Sequence, residues 1–326
     1  MMLLDFVQNI PDLLRETYKL VAQVPEGKVT TYGAVARALG DIAASRYVGI
    51  AMSKNDDIVK VPCRRVIRSD GHVGGYSDGG TAHKIRLLRC EGIEIAGDRV
   101  VNLDDFMFDD FSVKCPPLRE LKRRQRALRK HLRLKRYVGD IERVAGMDVA
   151  YEGDHSFAAM VTFDYRTHEE LDWKVVEGHA EFPYVPTYLG FREIPLILPL
   201  MRYVKKGTVV MYDGNGILHP ERFGITSQVG VIFDVPTVGV AKRLLCGRSS
   251  SRWYEGASRV VCRGRSLGYA LVGPKATRPV YVSAGHLVSP PQALTIARAM
   301  LAYRSPEPVR MAHIVAEAAR RGTSHK

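Results

Sequence analysis

The order of apolar segments after residue 143 limits the fold more than any other feature of the sequence. Three strand-like segments come first, and short apolar runs of the buried-strand type then alternate with helical patterns. The predicted strands are Arg143–Tyr151, Phe157–Tyr165, Trp173–Ala180, Thr208–Tyr212 and Thr237–Val240. The predicted helices are Leu189–Val204, Gly224–Phe233 and Pro291–Tyr303. This order predicts an α/β domain with a mixed sheet and helices on both faces.

The N-terminal third has a different, mainly helical pattern. Apolar residues at helical spacing predict a helix over residues 1–20. A threonine before Tyr32–Leu39 and Gly40 after it predict a short capped helix, and a second helix is expected over Ala43–Lys54. Two helices around a glycine-containing turn outline a helix-turn-helix, although a generic helical hairpin has the same pattern.

The distribution of charge suggests where the domains meet. Residues 1–105 hold 14 basic and 14 acidic residues, whereas residues 106–143 hold 12 basic and 5 acidic residues. We therefore predict a first domain over 1–105, a linker over 106–117 and a second domain over 118–326. A basic helix is expected over Leu118–Tyr137, with its leucine stripe packed on the second domain. Concentrated positive charge is typical of polyanion binders, and equally of a solvated helix face.

The composition excludes several classes of protein. The longest apolar runs are too short to span a bilayer, and the N-terminus does not have the basic start and apolar core of a secretion signal. Five cysteines without a regular spacing argue against a disulfide framework, and no pair forms the CxxC spacing of a zinc site. We expect a cytoplasmic, monomeric protein without zinc or a membrane partner.

Three acids set in apolar sequence are candidate metal ligands. Asp148 interrupts a predicted strand, Asp213 ends another, and Glu193 begins a predicted helix. A buried carboxylate is costly unless its charge is compensated. Mg²⁺ prefers oxygen ligands, and carboxylate-held Mg²⁺ is a common arrangement for hydrolysing phosphodiesters. Any one of these acids could instead serve as an ion-pairing or capping residue.

The motifs around the acids resemble those of endonuclease V. They are Glu-Phe-Pro-Tyr-Val-Pro at 181–186, Phe-Arg-Glu at 191–193, Asp-Gly-Asn-Gly-Ile-Leu-His-Pro at 213–220 and Val-Gly-Val-Ala-Lys at 238–242. The resemblance runs from about residue 118 to the C-terminus. It implies a ribonuclease-H-like fold and incision of DNA 3′ to deoxyinosine and other deaminated bases. Some relatives of this family act on inosine-containing RNA, so an RNA substrate is the alternative.

The resemblance also implies a role for each site residue. Asp148, Glu193 and Asp213 become ligands of Mg²⁺, for which Mn²⁺ can substitute. Two further residues, Lys242 and His219, are expected close to the scissile phosphate, and a third, His286, close to the metal. Tyr184 between two prolines becomes a wedge beside the flipped base. Without the family, Tyr184 would be interpreted as a core aromatic and His286 as a buried structural histidine.

Three positions depart from the family pattern. Thr187 follows the wedge motif where a glycine is usual, Asn215 replaces a histidine, and Glu221 is inserted into a His-Pro-Arg motif. These changes affect the base pocket and the DNA contacts more than the chemistry, because the three acids remain.

A second candidate site lies around Cys63. Arg64 and Arg65 follow the cysteine and provide positive charge that favours a thiolate. A thiolate can displace an alkyl group by direct attack on its carbon. A lone cysteine is more often a small buried apolar residue, so the cysteine by itself does not establish a site.

The sequence around Cys63 resembles the DNA-binding domain of O6-alkylguanine-DNA alkyltransferases and alkyltransferase-like proteins over about residues 15–105. The matching segments include Gly-Lys-Val-x-Thr-Tyr-Gly at 27–33, Arg-x-Val-Gly-x-Ala-Met-x-x-Asn at 46–55, Pro-Cys at 62–63, Gly-Tyr-Ser at 75–77 and Glu-Gly at 91–92. The resemblance implies a winged-helix-like domain that binds duplex DNA carrying O6-alkylguanine.

This resemblance assigns further roles. Tyr32 and Arg65 would contact DNA, and Arg46 would fill the stack that the flipped base leaves. The guanine itself would contact Tyr76 and Ser77. Two polar side chains, Asn55 and Glu91, would support the reactive loop.

One departure bears on the chemistry of Cys63. Arg64 replaces the family's histidine, which relays a proton towards the acid matching Glu91, and a guanidinium cannot accept a proton. We therefore expect a bifunctional repair enzyme, with alkyl transfer to Cys63 favoured over lesion binding alone. A recruitment protein without catalysis is the remaining alternative.

Overall fold

The computed structural model describes residues 6–274 and 276–323. Its residues form two compact units. The first unit comprises Asn9–Arg123 and Phe182–Pro186, and the second comprises the remaining described residues. The division falls within the helix Pro117–Arg129, between Arg123 and Arg124. The domain limits of 1–105, 106–117 and 118–326 stay a prediction.

The first unit is mainly helical. Its helices are α1 (Leu13–Val21), α2 (Tyr32–Leu39), α3 (Ser45–Ser53), α4 (Gly80–Cys90), α5 (Leu103–Phe106) and the start of α6 (Pro117–Arg129). Its short strands are β1 (Thr30–Thr31), β2 (Val66–Ile67), β3 (Ile95–Ala96) and β4 (Arg99–Val100). Two 3-10 helices cover Ile42–Ala44 and Cys63–Arg65.

The predicted helix-turn-helix is confirmed, and its caps explain its limits. The Thr31 hydroxyl accepts a hydrogen bond from the Ala34 amide at the start of α2, and Gly40 ends α2 in the left-handed conformation. A side chain on Gly40 would also overlap the backbone of Arg119. The second helix begins at Ser45 instead of Ala43, because the 3-10 helix precedes it.

A nine-stranded mixed sheet forms the second unit. Its strands are β5 (Arg143–Glu152), β6 (His155–Asp164), β7 (Glu170–His179), β8 (Thr208–Asp213), β9 (Thr237–Ala241), β10 (Arg248–Tyr254), β11 (Ala257–Cys262), β12 (Arg265–Leu271) and β13 (Val280–Ala284). The spatial order is β10-β11-β12-β13-β9-β8-β5-β6-β7. β8 runs parallel to both β5 and β9, and the other neighbours are antiparallel. This confirms the predicted mixed α/β sheet.

Helices cover both faces of this sheet. They are α7 (Leu189–Met201), α8 (Ile225–Phe233), α9 (Pro290–Ala299) and α10 (Glu307–Arg320). The buried residues of α9 and α10, including Ile296, Val309 and Ala312, join Val209 and Val282 in one apolar core. α7 lies on the opposite face. Its Glu193 accepts hydrogen bonds from Tyr151 on β5 and Tyr212 on β8. Along each strand these tyrosines alternate with the residues that face α10, so they point to the other side of the sheet. No helix within the described residues is long and apolar enough to cross a membrane.

Three sequence predictions about elements need correction. The helix predicted over 1–20 is broken in the described residues, because Asn9 adopts a positive φ and a new helix begins after its cap, Asp12; residues 1–5 lie outside the described range. The basic helix ends at Arg129, not at Tyr137. Its leucine stripe does not belong to one domain: Leu118 and Leu121 are buried in the first unit, while Leu128 belongs to the second.

Candidate functional site

Two aspartates lie side by side on neighbouring parallel strands. Met147 pairs with Tyr212 in the β5–β8 register, so the next residues along, Asp148 and Asp213, lie side by side where this pairing ends, in the middle of β5 and at the carboxyl end of β8. Adjacent strands are about 4.8 Å apart. The two carboxylates are mostly buried, with side-chain exposures of 13% and 14%. Burial raises the pKa of Asp213, and the charge of Asp148 raises it further.

Each aspartate has a cationic partner. Lys242 follows β9 and places its Nζ 2.7 Å from Asp213 Oδ2. His313 on α10 places its Nδ1 2.7 Å from Asp148 Oδ2. That hydrogen bond raises the pKa of His313, so its imidazolium form is favoured. The four side chains form an acid–base cluster on the α10 face of the sheet, which we call the acid cluster.

Glu193 approaches the acid cluster from the opposite face. Its carboxylate accepts hydrogen bonds from the hydroxyls of Tyr151 at 3.1 Å and Tyr212 at 2.8 Å. Burial raises the pKa of Glu193 to about 8, and the nearby Asp148 and Asp213 contribute to that increase. A cation placed near the three carboxylates would reverse this effect by favouring their charged forms.

The chemistry of this donor set fits a hard divalent cation. All three acids offer carboxylate oxygens, and burial together with the charges of neighbouring acids raises the pKa of Glu193 and of Asp213, an effect that a bound cation would offset. Among residues 6–274 and 276–323, no three acid, histidine or cysteine side chains converge closely enough to hold an ion as they stand. Asp148 and Asp213 are instead engaged by His313 and Lys242. Metal binding therefore requires these two ion pairs to rearrange.

The structure does not bring His286 to the acids. His286 follows β13, and both β13 and β8 pair with β9. On β9, Val238 pairs with Ala284 of β13, and Val240 pairs with Asp213 of β8. His286 therefore lies beyond the opposite end of β9, about 13 Å away along the strands. Its buried ring accepts a hydrogen bond from the Arg133 amide at 3.2 Å and lies 3.3 Å from Asp234. Burial lowers its pKa. This placement matches a structural histidine, and His313 occupies the position that the sequence interpretation gave to His286.

His313 was missed because the sequence interpretation ended the last helix at Tyr303. A signal for α10 was nevertheless present. Val309, Ala312, Val315 and Ala316 repeat at helical spacing and are all buried. His313 sits directly beside that stripe, so a helical pattern over these residues would have placed a histidine at the edge of a buried helix face.

The remaining predicted nuclease residues are placed as follows. His219 is 4% exposed, and its Nδ1 accepts a hydrogen bond from the Glu221 amide at 3.2 Å. Tyr184 is 60% exposed, between the buried Phe182 and Val185, in the segment that belongs to the first unit. An exposed tyrosine between buried neighbours has the character of a surface wedge, so a core role for this ring is wrong.

Thr187 has the backbone conformation of the glycine that it replaces. Its φ is +74°, in the left-handed region that β-branched residues rarely adopt. The departure from the family motif therefore introduces strain, which costs about 1–2 kcal/mol for a residue with a Cβ.

Replacing Thr187 with glycine is expected to raise the free energy of unfolding by about 0.5–1 kcal/mol, since part of the relieved strain is offset by glycine's greater freedom in the unfolded chain. Urea denaturation measures the change. The matched control is Thr277→Gly, at an exposed loop threonine without a positive φ, which should lose stability. Destabilisation of equal size in both variants would show that the conformation of Thr187 is not strained.

Cys63 is buried at the wall of a cavity in the first unit. The cavity has a volume of about 340 Å³ and is lined by Tyr32, Gly49, Met52, Ser53, Cys63, Gly75, Tyr76 and Ser77. The Cys63 Sγ accepts a hydrogen bond from Asn55 Nδ2 at 3.2 Å, and the same amide donates to the Val61 carbonyl at 2.9 Å. The Tyr76 hydroxyl is buried without a hydrogen-bond partner in the described residues. Arg46 is exposed on α3, the second helix of the helix-turn-helix.

Glu91 is clamped by two arginines. Arg64 Nε donates to one carboxylate oxygen at 2.6 Å and Arg65 Nε donates to the other at 2.7 Å. The Glu91 side chain is 7% exposed. Arg65 also donates to the Val24 carbonyl at 2.8 Å. The two guanidinium groups therefore hold the loop that carries Cys63, and each occupies one oxygen of the Glu91 carboxylate.

Comparison with known proteins finds a family match for each of the two parts of the chain that hold these residues. The sequence profile of endonuclease V matches residues 126–314, and that of the 6-O-methylguanine DNA methyltransferase DNA-binding domain matches residues 12–93. The crystal structure of endonuclease V from Streptomyces avermitilis has 33% sequence identity and a TM-score of 0.58, covering 62% of this chain and 92% of that chain. Endonuclease V from Ciona intestinalis, in complex with DNA containing an inosine followed by a ribo-adenosine, has 25% identity and a TM-score of 0.58, covering 63% and 98%.

The profile match spans more than half of the chain and includes the acid cluster, so the chain belongs to the endonuclease V family. Within it, the similarity extends over nearly the whole length to the bifunctional methyltransferase/endonuclease of Picrophilus torridus, with 37% identity over 93% of this chain and 95% of that protein.

Proposed function

We propose that this protein is a metal-dependent DNA endonuclease that incises DNA 3′ to deoxyinosine and other deaminated bases. The observation that carries the proposal is the juxtaposition of Asp148 and Asp213 on two neighbouring parallel strands, with Lys242 and His313 against them. The relatives named bifunctional methyltransferase/endonuclease and the inosine-containing DNA bound by the Ciona protein support the substrate class.

Asp148, Glu193 and Asp213 would hold Mg²⁺ or Mn²⁺. When bound, the ion supplies an activated water and neutralises charge on the phosphate. In the hydrolysis a water oxygen bonds to phosphorus and the bond from phosphorus to the 3′-oxygen breaks. The products are a 3′-hydroxyl and a 5′-phosphate.

The protein's own cations have clear tasks in this reaction. Lys242 Nζ, 41% exposed and released from Asp213, can bind a non-bridging phosphate oxygen. His313, 46% exposed and likewise released from Asp148, can donate a hydrogen bond from its imidazole to a phosphate oxygen. The exposed Tyr184 ring can replace the stacking that is lost when the inosine leaves the helix.

The choice between DNA and RNA is tested with matched strands. Strands of one sequence are prepared with a single inosine as deoxyribose or ribose, and the products are mapped at nucleotide resolution. We expect faster cleavage of the DNA strand, with a 3′-hydroxyl and 5′-phosphate at the nick. Faster cleavage of the RNA strand would assign the enzyme to inosine-containing RNA, and cleavage without dependence on inosine would contradict the proposal.

The Cys63 cavity favours a second activity, the transfer of an alkyl group from O6-alkylguanine. The cavity places a buried Sγ against two tyrosines and a serine, so a flipped base could meet the sulfur. The Cys63 sulfur attacks the alkyl carbon, a C–S bond forms and the bond between that carbon and O6 breaks. The guanine takes up a proton from water, and the thiol proton goes to a solvent base, since Glu91 is held by Arg64 and Arg65. One protein accepts one alkyl group.

Replacing Arg64 with histidine is expected to accelerate this transfer by about tenfold or more. The imidazole would supply a proton acceptor beside Cys63, and general-base catalysis contributes about 10²–10⁴-fold where it is well placed. The measurement is the rate of mass gain of the intact protein after mixing with an O6-methylguanine duplex. Cys63→Ala should show no gain at any time.

The matched control is Arg64→Gln, which removes the guanidinium without adding a base. Equal acceleration by glutamine and histidine would show that the arginine clamp alone limits the rate. No mass gain in the parent protein or either variant, with lesion-selective DNA binding retained, would make the first unit a reader of alkylated guanine.

A further inference from the structure

An open groove of about 680 Å³ lies beside β10, at the edge of the nine-stranded sheet. Six of its lining residues carry either an aromatic ring or a guanidinium group: Arg252, Trp253, Tyr254, Arg259, Tyr269 and Arg298. We call this surface the β10 groove. All of its residues belong to the second unit.

The aromatic residues of the β10 groove are unusually exposed. Trp253 is 47% exposed and Tyr254 is 75% exposed. Neither ring stacks on another ring or on a cation within the part of the chain that the structure describes. Large exposed aromatic surfaces next to each other are costly in water and mark interaction sites. Their faces are therefore available to a ligand.

The charges of the groove call for an anionic ligand. Arg252 and Arg259 form no ion pair with the acids of the described residues. Arg298 pairs with Glu255 at 2.9 Å, but its Nε is buried without a hydrogen-bond partner in the described part of the chain. The three arginines of the groove therefore have one carboxylate partner between them among the described residues, that of Glu255.

We propose that the β10 groove binds a single-stranded segment of nucleic acid, independently of its sequence. Because consecutive residues of a strand point to opposite faces, the bound segment would pass around the edge of the sheet, with one base on Tyr254 and another on Trp253. Its phosphates would meet Arg252, Arg259 and Arg298. Stacking of a base on an aromatic side chain contributes about 1–3 kcal/mol in single-strand binding proteins. A duplex does not offer its base faces to such rings, because they are already stacked on each other.

The geometry of β10 disfavours the competing occupant, an added peptide strand. The pairing of β10 with β11 is interrupted between Ser249 and Trp253, where the register shifts. Such bulges twist an edge strand and disrupt the regular row of backbone groups that a further strand would need. The side chains of the β10 groove, not its backbone, therefore form the binding surface.

The β10 groove is separate from the acid cluster. Five strand-to-strand steps separate β10 from β8, which corresponds to about 24 Å across the sheet. A strand bound there would be a second point of contact with nucleic acid, additional to the site of cleavage. The inference does not depend on the proposed nuclease activity.

Intrinsic fluorescence tests the proposal directly, since the chain has two tryptophans, Trp173 and Trp253. Trp173→Phe leaves Trp253 as the only tryptophan, which is excited at a wavelength that the 15 tyrosines do not absorb. We expect oligothymidylate of about ten nucleotides to quench its emission at saturation, in EDTA and without inosine, so that cleavage is not involved. A duplex of the same length should quench weakly. The complementary variant, Trp253→Phe, should show no quenching.

A charge variant with a matched control completes the test. In the Trp173→Phe background, Arg252→Ala with Arg259→Ala should weaken quenching by oligothymidylate at least tenfold and make it less dependent on salt. Arg263→Ala with Arg265→Ala removes the same charge at the β11–β12 turn, outside the β10 groove, and should have little effect. Thermal melts establish that each variant is folded.

Three results would overturn the proposal. They are no quenching of Trp253 by the oligonucleotide, equal weakening by the two arginine pairs, and equal quenching by polyglutamate. The last would identify a surface for acidic peptides. Each can be distinguished from failure of the nuclease proposal, because inosine cleavage is assayed separately and with Mg²⁺.

Discussion

Replacing Asp148 or Asp213 with asparagine is expected to lower the rate of deoxyinosine cleavage by at least about a thousandfold. That loss corresponds to about 4 kcal/mol of transition-state stabilisation. Asparagine keeps the shape of the side chain but removes the negative charge that a divalent cation needs. The reason is specific to this arrangement, in which the two carboxylates lie on adjacent parallel strands and the charge of Asp148 raises the pKa of Asp213.

Single-turnover cleavage and DNA binding are measured on the same preparations. Binding of the inosine duplex should survive in both variants, because the residues proposed to contact DNA are unchanged. The control is Asp172→Asn, an exposed acid on β7, which should cleave at the parent rate. Loss of folding in the Asp148 and Asp213 variants would instead make these two acids structural.

Gly146→Ala is expected to lower the free energy of unfolding by about 3 kcal/mol and to abolish cleavage. A Cβ at this position of β5 would overlap the backbone carbonyl group of Pro308 at the start of α10. Backbone atoms cannot move aside as a flexible side chain can, and overpacking of this kind typically costs about 1–3 kcal/mol or more. Because α10 carries His313, its displacement would also move this histidine away from the acid cluster.

Chemical denaturation followed by circular dichroism measures the change in stability. The variant His313→Ala shows how much cleavage is lost when the histidine alone is removed. Gly178→Ala on β7 is the matched control. An added Cβ there meets Leu196 at an ordinary distance of 3.4 Å, so its stability should change by less than about 1 kcal/mol. A Gly146→Ala protein as stable as the control would show that α10 does not pack on β5 as closely as described.

Local patterns allowed much of the fold to be predicted. Thr31 and Gly40 cap α2 as expected, and the apolar runs at 208–212 and 237–240 are strands whose ends carry Asp213 and precede Lys242. These features depend on residues near one another in the chain. Strand β10 was missed because its sequence, Arg-Ser-Ser-Ser-Arg-Trp-Tyr, has neither an apolar run nor a clean alternation.

The composition of the candidate sites was harder to predict, because it depends on register and on distant contacts. Asp148 and His313 are 165 residues apart in the sequence, and no local pattern links them. Asp213 pairs with Val240 of β9, whereas the strand before His286 ends opposite Val238, two residues earlier on β9. This register places His286 away from Asp213. Similarly, the sequence showed that Arg64 replaces a histidine, but only the structure shows Arg64 and Arg65 sharing Glu91.

The central claim is that the acid cluster supports metal-dependent cleavage, and the dependence of single-turnover cleavage on Mg²⁺ tests it most directly. The substrate is a duplex with one deoxyinosine, and the protein is first freed of metal with EDTA. We predict no cleavage in EDTA, and full recovery on adding Mg²⁺ or Mn²⁺, with a 3′-hydroxyl and a 5′-phosphate at the nick. Equal cleavage with and without EDTA, or no cleavage by the folded protein with either metal, would contradict the account.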